Sequence, residues 1–198
     1  MLAYAKGIEL KYVPPEGFRT PAFKQFNVLA KVPVLDTGEL LLPESIVIMD
    51  YLEERFPEPA LRPLCPEERA VMNIFYRFSD VYIQPVLLRL FQGMTMDGSP
   101  DAAIADDIAA LDRQLQLLDE LLVRYGRCGH DWLDLADCAL APIMYFSLTV
   151  PQQLNGSDVL TYSPHVTDWW EWVQQQEAAA RVFAEIEEGM RVFMRQTT

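Results

Sequence analysis

Cysteine and histidine are scarce in this sequence, and it has no long apolar run. The three cysteines, Cys65, Cys128 and Cys138, are an odd number with no CxxC spacing. Neither a disulfide framework nor a zinc site is therefore indicated. The two histidines, His130 and His165, have no acidic or cysteine partner at metal-ligand spacing, which leaves surface or capping roles. No apolar run approaches the roughly 18 residues of a membrane span. The start, MLAYAKGIEL, lacks the basic stretch, apolar centre and small-residue cleavage site of a secretory signal. These absences predict a reduced, cytoplasmic protein that neither spans a membrane nor holds a structural metal.

Lysine is also rare, and its placement is informative. All four lysines (Lys6, Lys11, Lys24 and Lys31) lie in residues 1–31, with Arg19 and against only Glu9 and Glu16. That segment is +3, so with a net charge of -13 the rest of the chain carries -16. An acidic body of this kind repels nucleic acid and anionic membrane. The small basic segment suits either a small anionic ligand or a plain solvated surface. Hydrophobic residues make up 51% of 198 residues, enough for a large core in one domain or two small ones.

The chain changes character near residue 60. Before it, IELKYVP reads as a strand and TPAFKQFN as a short helix capped by Thr20 with Pro21 at its first position. VPVL and ELLL read as brief strands around the turn residues Asp36 and Gly38, and SIVIMDYLEERF as a helix. PEPALRPLCP, with four prolines in ten residues, reads as a linker. The boundaries expected are a first domain over 1–58, a linker over 59–65 and a second domain over 66–198.

Everything after the linker has helical periodicity. Val71, Ile74, Phe75, Phe78 and Val81 keep the spacing of a buried stripe, and Pro85 should bend that helix or end its first half. A helix opening at Ser99-Pro100 repeats apolar residues at Ile104, Ile108, Leu111, Leu115, Leu118 and Leu122, and stops at Gly126. Asp134 and Asp137 form a carboxylate variant of the capping box for the next helix. A long loop is expected over 148–164, and two further helices after it. Cys138 falls in an apolar helix and reads as core, whereas Cys65 lies in the linker. Trp169, Trp170 and Trp172 cannot share one helix face, so at least one should be partly exposed. Tyr76 and Tyr82 suit packing or the lining of an apolar co-substrate pocket, with packing the simpler reading.

PAFKQFNVLAKVPVL, PESIVIMDYLEERFP and DLADCALAP, in this order and spacing, resemble the glutathione transferase superfamily over nearly the whole chain. The resemblance implies an α+β plus all-α protein. Its first part would be a thioredoxin-like N-terminal domain lacking its first strand, followed by a transferase-type helical domain. It also implies a cis bond before Pro33, with the backbone of Val32 pairing with the cysteinyl part of glutathione. The γ-glutamyl carboxylate would lie at the helix start by Ser45, Glu44 would accept from the ligand ammonium, and Lys31 would pair with the glycyl carboxylate. The alternatives are an N-cap Ser45, a dipole-friendly Glu44 and a solvated Lys31. Val28 and Ala30 stand where family members often have proline and glycine.

The resemblance further implies a first strand and a loop ahead of the first helix. Met1 falls inside that helix, so roughly 15–20 residues of the family pattern, including one strand, have no counterpart. That loop carries the thiol-assisting tyrosine, serine or cysteine, and Tyr4 is no substitute because it belongs to the helix. No catalytic residue is therefore assigned within residues 1–198. Either the chain begins at an internal methionine of a longer form, which is the more economical account, or it is a shortened protein. The implied function is transfer of the glutathione thiolate, as co-substrate, to an apolar electrophile by a homodimer in detoxification. ESIVIMDYLEERFPEPALRPLCP is also similar to the stringent starvation proteins, transferase-like regulators that act by protein contact without catalysis.

Overall fold

The computed structural model describes residues 1–14, 20–95, 101–127 and 132–197. Arg19, Ser99, Pro100, Cys128 and His130, which figure in the sequence reading, lie outside them. The chain divides into two compact units, Leu2–Leu61 and Arg62–Thr198, with Met1 grouped in the second.

The smaller unit contains α1 (Leu2–Ala5), α2 (Pro21–Phe26), β1 (Val34–Asp36), β2 (Leu41–Pro43) and α3 (Ser45–Arg55). Thr20 caps α2 as its sequence predicts, its hydroxyl accepting from the Phe23 N–H at 3.3 Å. The strands are antiparallel, with Val34 opposite Pro43, Leu35 opposite Leu42 and Asp36 opposite Leu41. Asp36 closes the turn between them by accepting from the Gly38 N–H at 2.8 Å. Gly38 sits at φ 87°, a conformation that favours glycine.

IELKYVP corrects the reading: residues 8–14 form no strand. A strand exists only through its ladder, and here β1 and β2 pair with each other, so this segment has none. Tyr12 is consequently 81% exposed. Lys6 corrects another expectation, because it is not part of a solvated basic surface. Its ammonium is fully buried, 2.7 Å from Glu53 Oε2, and donates to the Phe56 and Pro59 carbonyls at 2.7 and 2.6 Å. Glu53 Oε1 in turn accepts from the Leu61 N–H at 3.0 Å. This knot ties the end of α1 to the end of α3 and to the chain beyond it.

Among the described residues the regular elements of the larger unit are all helical: α4 (Pro66–Phe78), a π-helical turn (Ser79–Ile83), α5 (Gln84–Thr95), α6 (Asp101–Arg124), α7 (Leu135–Asn155), α8 (Pro164–Gln174) and α9 (Glu177–Thr197). Pro85 lies just after the π turn. A proline cannot donate to the carbonyl one turn back and its ring crowds that carbonyl, and the wider turn relieves both conflicts. The extra residue in the turn rotates the stripe. Phe75 and Phe78 are buried, but Val81 faces out and Ile83 takes its place in the core.

On α6, Ile108, Leu111, Leu115, Leu118 and Leu122 are all buried, as their spacing predicts. Gly126 ends this helix at φ 64°, and the Arg127 N–H returns to the Leu122 carbonyl at 3.0 Å. The loop expected from 148 begins later, because α7 continues to Asn155 through Pro151. Val150 and Pro151 are buried there, so packing outweighs the proline.

The Asp134–Asp137 capping box is complete. The Asp137 N–H donates to Asp134 Oδ1 at 3.1 Å and the Asp134 N–H to Asp137 Oδ2 at 3.0 Å. Arg127 meets Asp134 at 2.7 Å, and the Trp169 Nε1–H donates to Asp137 Oδ1 at 2.9 Å. Trp169 is thus buried, whereas Trp170 and Trp172 are partly exposed. Burial, and then the adjacent Asp137 carboxylate, push the Asp134 carboxyl above its ordinary range against the opposing pull of Arg127. Cys138 is buried, as expected of a core residue.

His165 does have an acidic partner, although not one visible in local spacing. Asp119 of α6 accepts from the His165 and Val166 N–H groups at 2.7 and 3.0 Å, and its second oxygen lies 2.9 Å from His165 Nδ1. Ser163, at the N-cap position, makes no side-chain cap bond. A carboxylate 46 residues away serves the first turn of α8 instead.

Candidate functional site

The candidate residues lie at one end of the β1–β2 ladder. Val34 and Pro43 are its last rung on that side, so Pro33 and Glu44 stand one position beyond it and Val32 and Ser45 two. The Val32–Pro33 bond is cis, as the resemblance implies. Val32 is 47% exposed, and among the described residues its backbone N–H and C=O make no hydrogen bond. They remain open to an extended ligand.

On the other strand, Glu44 is exposed and sits at φ 71° and ψ 118°. A non-glycine residue at positive φ is unusual, with a penalty of about 1–2 kcal/mol. Glu44 is the N-cap of α3 by position but makes no side-chain cap bond. Ser45 is the first helical residue, so the alternative of Ser45 as an ordinary N-cap is not realised. The first N–H groups of α3 and the exposed Ser45 hydroxyl share an end where the helix dipole favours an anion. Lys31 is exposed next to Val32.

The loop leading to Lys31 is ordered by a residue that the sequence reading passed over. Asn27 is buried and ends α2, its N–H reaching the Phe23 carbonyl at 2.9 Å. Its Oδ1 accepts from the Leu29 N–H at 3.0 Å, its carbonyl accepts from the Ala30 N–H at 2.8 Å, and its Nδ2 donates to the Lys31 carbonyl at 2.7 Å. The signal available was its type and place: asparagine directly after a short helix is a turn former that bonds the backbone two residues on. Ala30 takes φ 50°, so the path that glycine would follow is kept by alanine.

Other candidates stand apart. Tyr76 is buried in the core of the larger unit, and Tyr82 is half exposed, stacked on Phe78 with centroids 4.9 Å apart. Cys65 is exposed, its thiol 2.9 Å from Glu67. Tyr4 is within α1. Among the described residues no cluster of His, Cys, Asp or Glu could hold a metal ion, and no helix is long and apolar enough to cross a membrane.

Comparison with known proteins gives this geometry a context. The family model for the glutathione S-transferase N-terminal domain matches residues 1–60. A relative named Glutathione S-transferase 1, from Dianthus caryophyllus, is 29% identical over 74% of this chain and 69% of its own length. The Stringent starvation protein A homolog of Coxiella burnetii is 30% identical over 61% of this chain and 55% of its own. Among solved structures, the theta class glutathione S-transferase of Xanthomonas axonopodis pv. citri, with glutathione bound, superposes with a TM-score of 0.73. It is 24% identical, and the match covers 91% of this chain and 87% of that one. The small α+β unit is therefore of thioredoxin-like type and the larger unit of transferase helical type: residues 1–60 match the glutathione S-transferase N-terminal domain family, and the chain shares the fold of solved glutathione S-transferases.

Proposed function

We propose that the chain is a glutathione transferase that delivers the glutathione thiolate to an electrophilic, mostly apolar small molecule. The observation that carries this reading is Glu44, an exposed acid in a disfavoured backbone conformation beside Ser45. Strain of this kind persists where the surrounding structure holds it, and it clusters at ligand sites. In the proposed complex the Val32 backbone pairs with the cysteinyl segment held alongside Pro33. Ser45 and the α3 N-terminus receive the γ-glutamyl carboxylate, and Glu44 accepts from the ammonium. Lys31 faces the glycyl carboxylate. The thiolate attacks the electrophilic atom, and the leaving group or an added proton balances the product. The assembly proposed is a cytoplasmic homodimer, to be checked by sedimentation.

The second reading is a non-catalytic regulator that works by protein contact. It is supported by the similarity to the stringent starvation protein homologue. Calorimetric titration with glutathione, followed by conjugation assays with generic electrophiles, separates the two. A hydrogen bond to a charged group contributes roughly 1.5–3 kcal/mol, so Ser45→Ala is expected to weaken glutathione binding about tenfold or more. Equal affinity in wild type and Ser45→Ala would overturn the assigned role. Glutathione binding without turnover, together with capture of a specific protein partner, would favour the regulator.

A further inference from the structure

We infer that Asn27 is a positioning residue for ligand binding, acting through Lys31 and Val32; the inference rests on the glutathione reading above. Nothing in the proposed ligand contacts requires Asn27 itself. It is nevertheless the buried polar residue from which the whole approach to the site is hung. Its side chain is 2.7 Å from the Lys31 carbonyl and 3.0 Å from the Leu29 amide, and its own carbonyl holds the Ala30 amide at 2.8 Å. Three of the four residues between Asn27 and Val32 are thereby tied to one anchor at the end of α2.

The bond to Lys31 decides the matter. A peptide unit joins the Lys31 carbonyl to the Val32 N–H, and its atoms are coplanar. Fixing the carbonyl inward by Nδ2 fixes the opposite direction of the Val32 N–H, one of the two groups offered to the ligand. The same bond sets the level at which the Lys31 side chain leaves the backbone. Exposed Val28 and Leu29 contribute little packing to hold this loop, so loss of the amide donor frees it. Ligand binding must then order the loop at the expense of affinity.

Asn27→Asp is the informative variant, because it keeps the shape and the acceptor for Leu29 but replaces the donor to Lys31 with an acceptor. Asn27→Ala removes both. Wild type, Asn27→Asp, Asn27→Ala, Ser45→Ala and the Asn27→Asp/Ser45→Ala double variant are titrated calorimetrically with glutathione, with thermal melts confirming that each is folded at the working temperature. Folded Asn27→Asp is expected to bind about tenfold more weakly than wild type. In the double variant the two fold-losses should multiply, since Asn27 and Ser45 serve opposite ends of the tripeptide. General loosening of the unit would instead make the losses overlap. Asn27→Asp binding within twofold of wild type, or losses that fail to multiply, overturns the inference. Should Asn27→Ala fail to fold, the isosteric variant carries the test. A wild-type chain that does not bind glutathione overturns the underlying reading, a result distinct from an unaffected Asn27→Asp.

Discussion

Val34 and Pro43 face each other across the final rung of a short antiparallel ladder, and the chain leaves the sheet from both at one level. On one side the next residues are Pro33 and Val32, and on the other Glu44 and Ser45. Two segments separated by a turn in sequence are thus delivered to the same edge. One brings unpaired backbone groups and the other a helix N-terminus. This register is why a three-residue pairing brings residues 31–33 and 44–45, the proposed glutathione contacts, to one edge.

Glu44→Gly should separate stability from binding. Glycine accepts φ 71° without the side-chain clash, so relief of about 1–2 kcal/mol is partly offset by the greater freedom of the unfolded chain. The variant is expected to unfold at slightly higher urea and to bind glutathione more weakly, having lost the carboxylate. A destabilised variant with unchanged affinity would show that the strain is unrelated to the ligand.

Ala30→Gly is the matched control. Ala30 also occupies the left-handed region, at φ 50°, but it offers no functional group. A gain of roughly 0.5–1 kcal/mol in equilibrium unfolding is expected, with glutathione affinity in calorimetry changed less than twofold.

The Lys6–Glu53 pair predicts non-additive stability. Lys6→Met leaves the Glu53 carboxylate buried without its cation, for a loss on the order of 3 kcal/mol. Adding Glu53→Gln removes the stranded charge while keeping an oxygen for the Leu61 N–H. The double variant should therefore be more stable than Lys6→Met alone in urea unfolding. A double variant less stable than Lys6→Met would show that the carboxylate has adequate support without lysine.

Asp134 gives a pH test with a definite sign. Its folded carboxyl is held above its ordinary value by burial and by Asp137. The folded state therefore keeps this proton after the unfolded chain has lost it. Stability from this group is fully present below about pH 4, the unfolded value, and is lost as pH rises through the raised folded value. Asp134→Asn keeps a capping oxygen and cannot ionise. The stability of wild type relative to Asp134→Asn should fall as pH rises from about 4, measured by denaturant unfolding across the acid range. A relative stability that rises over that interval would mean that Arg127 outweighs burial. Separately, Arg127→Gln should cost about 3 kcal/mol near neutral pH by stranding the acidic pair.

Local sequence was sufficient for α2, α3, α6 and the start of α7, because their determinants are local. Thr20 with Pro21, the apolar spacing along α6, Gly126, and Asp134 with Asp137 each act within one or two turns of chain. Residues 31–33 and 44–45 are singled out by the family resemblance that the order and spacing of the motifs carry, since taken alone their residue types suit ordinary surface and cap roles equally well. What only the tertiary structure decided depends on partners distant in sequence. IELKYVP has strand composition and no ladder, so composition alone misleads there. Lys6 reads as a surface charge until Glu53 and the carbonyls of Phe56 and Pro59 surround it. Val81 belongs to the buried period until the π turn before Pro85 shifts the phase. His165 has no acidic neighbour until α6 brings Asp119 to the first turn of α8. Backbone strain at Glu44 and Ala30 is likewise invisible in residue type, because neither residue prefers positive φ and only the surrounding fold imposes it.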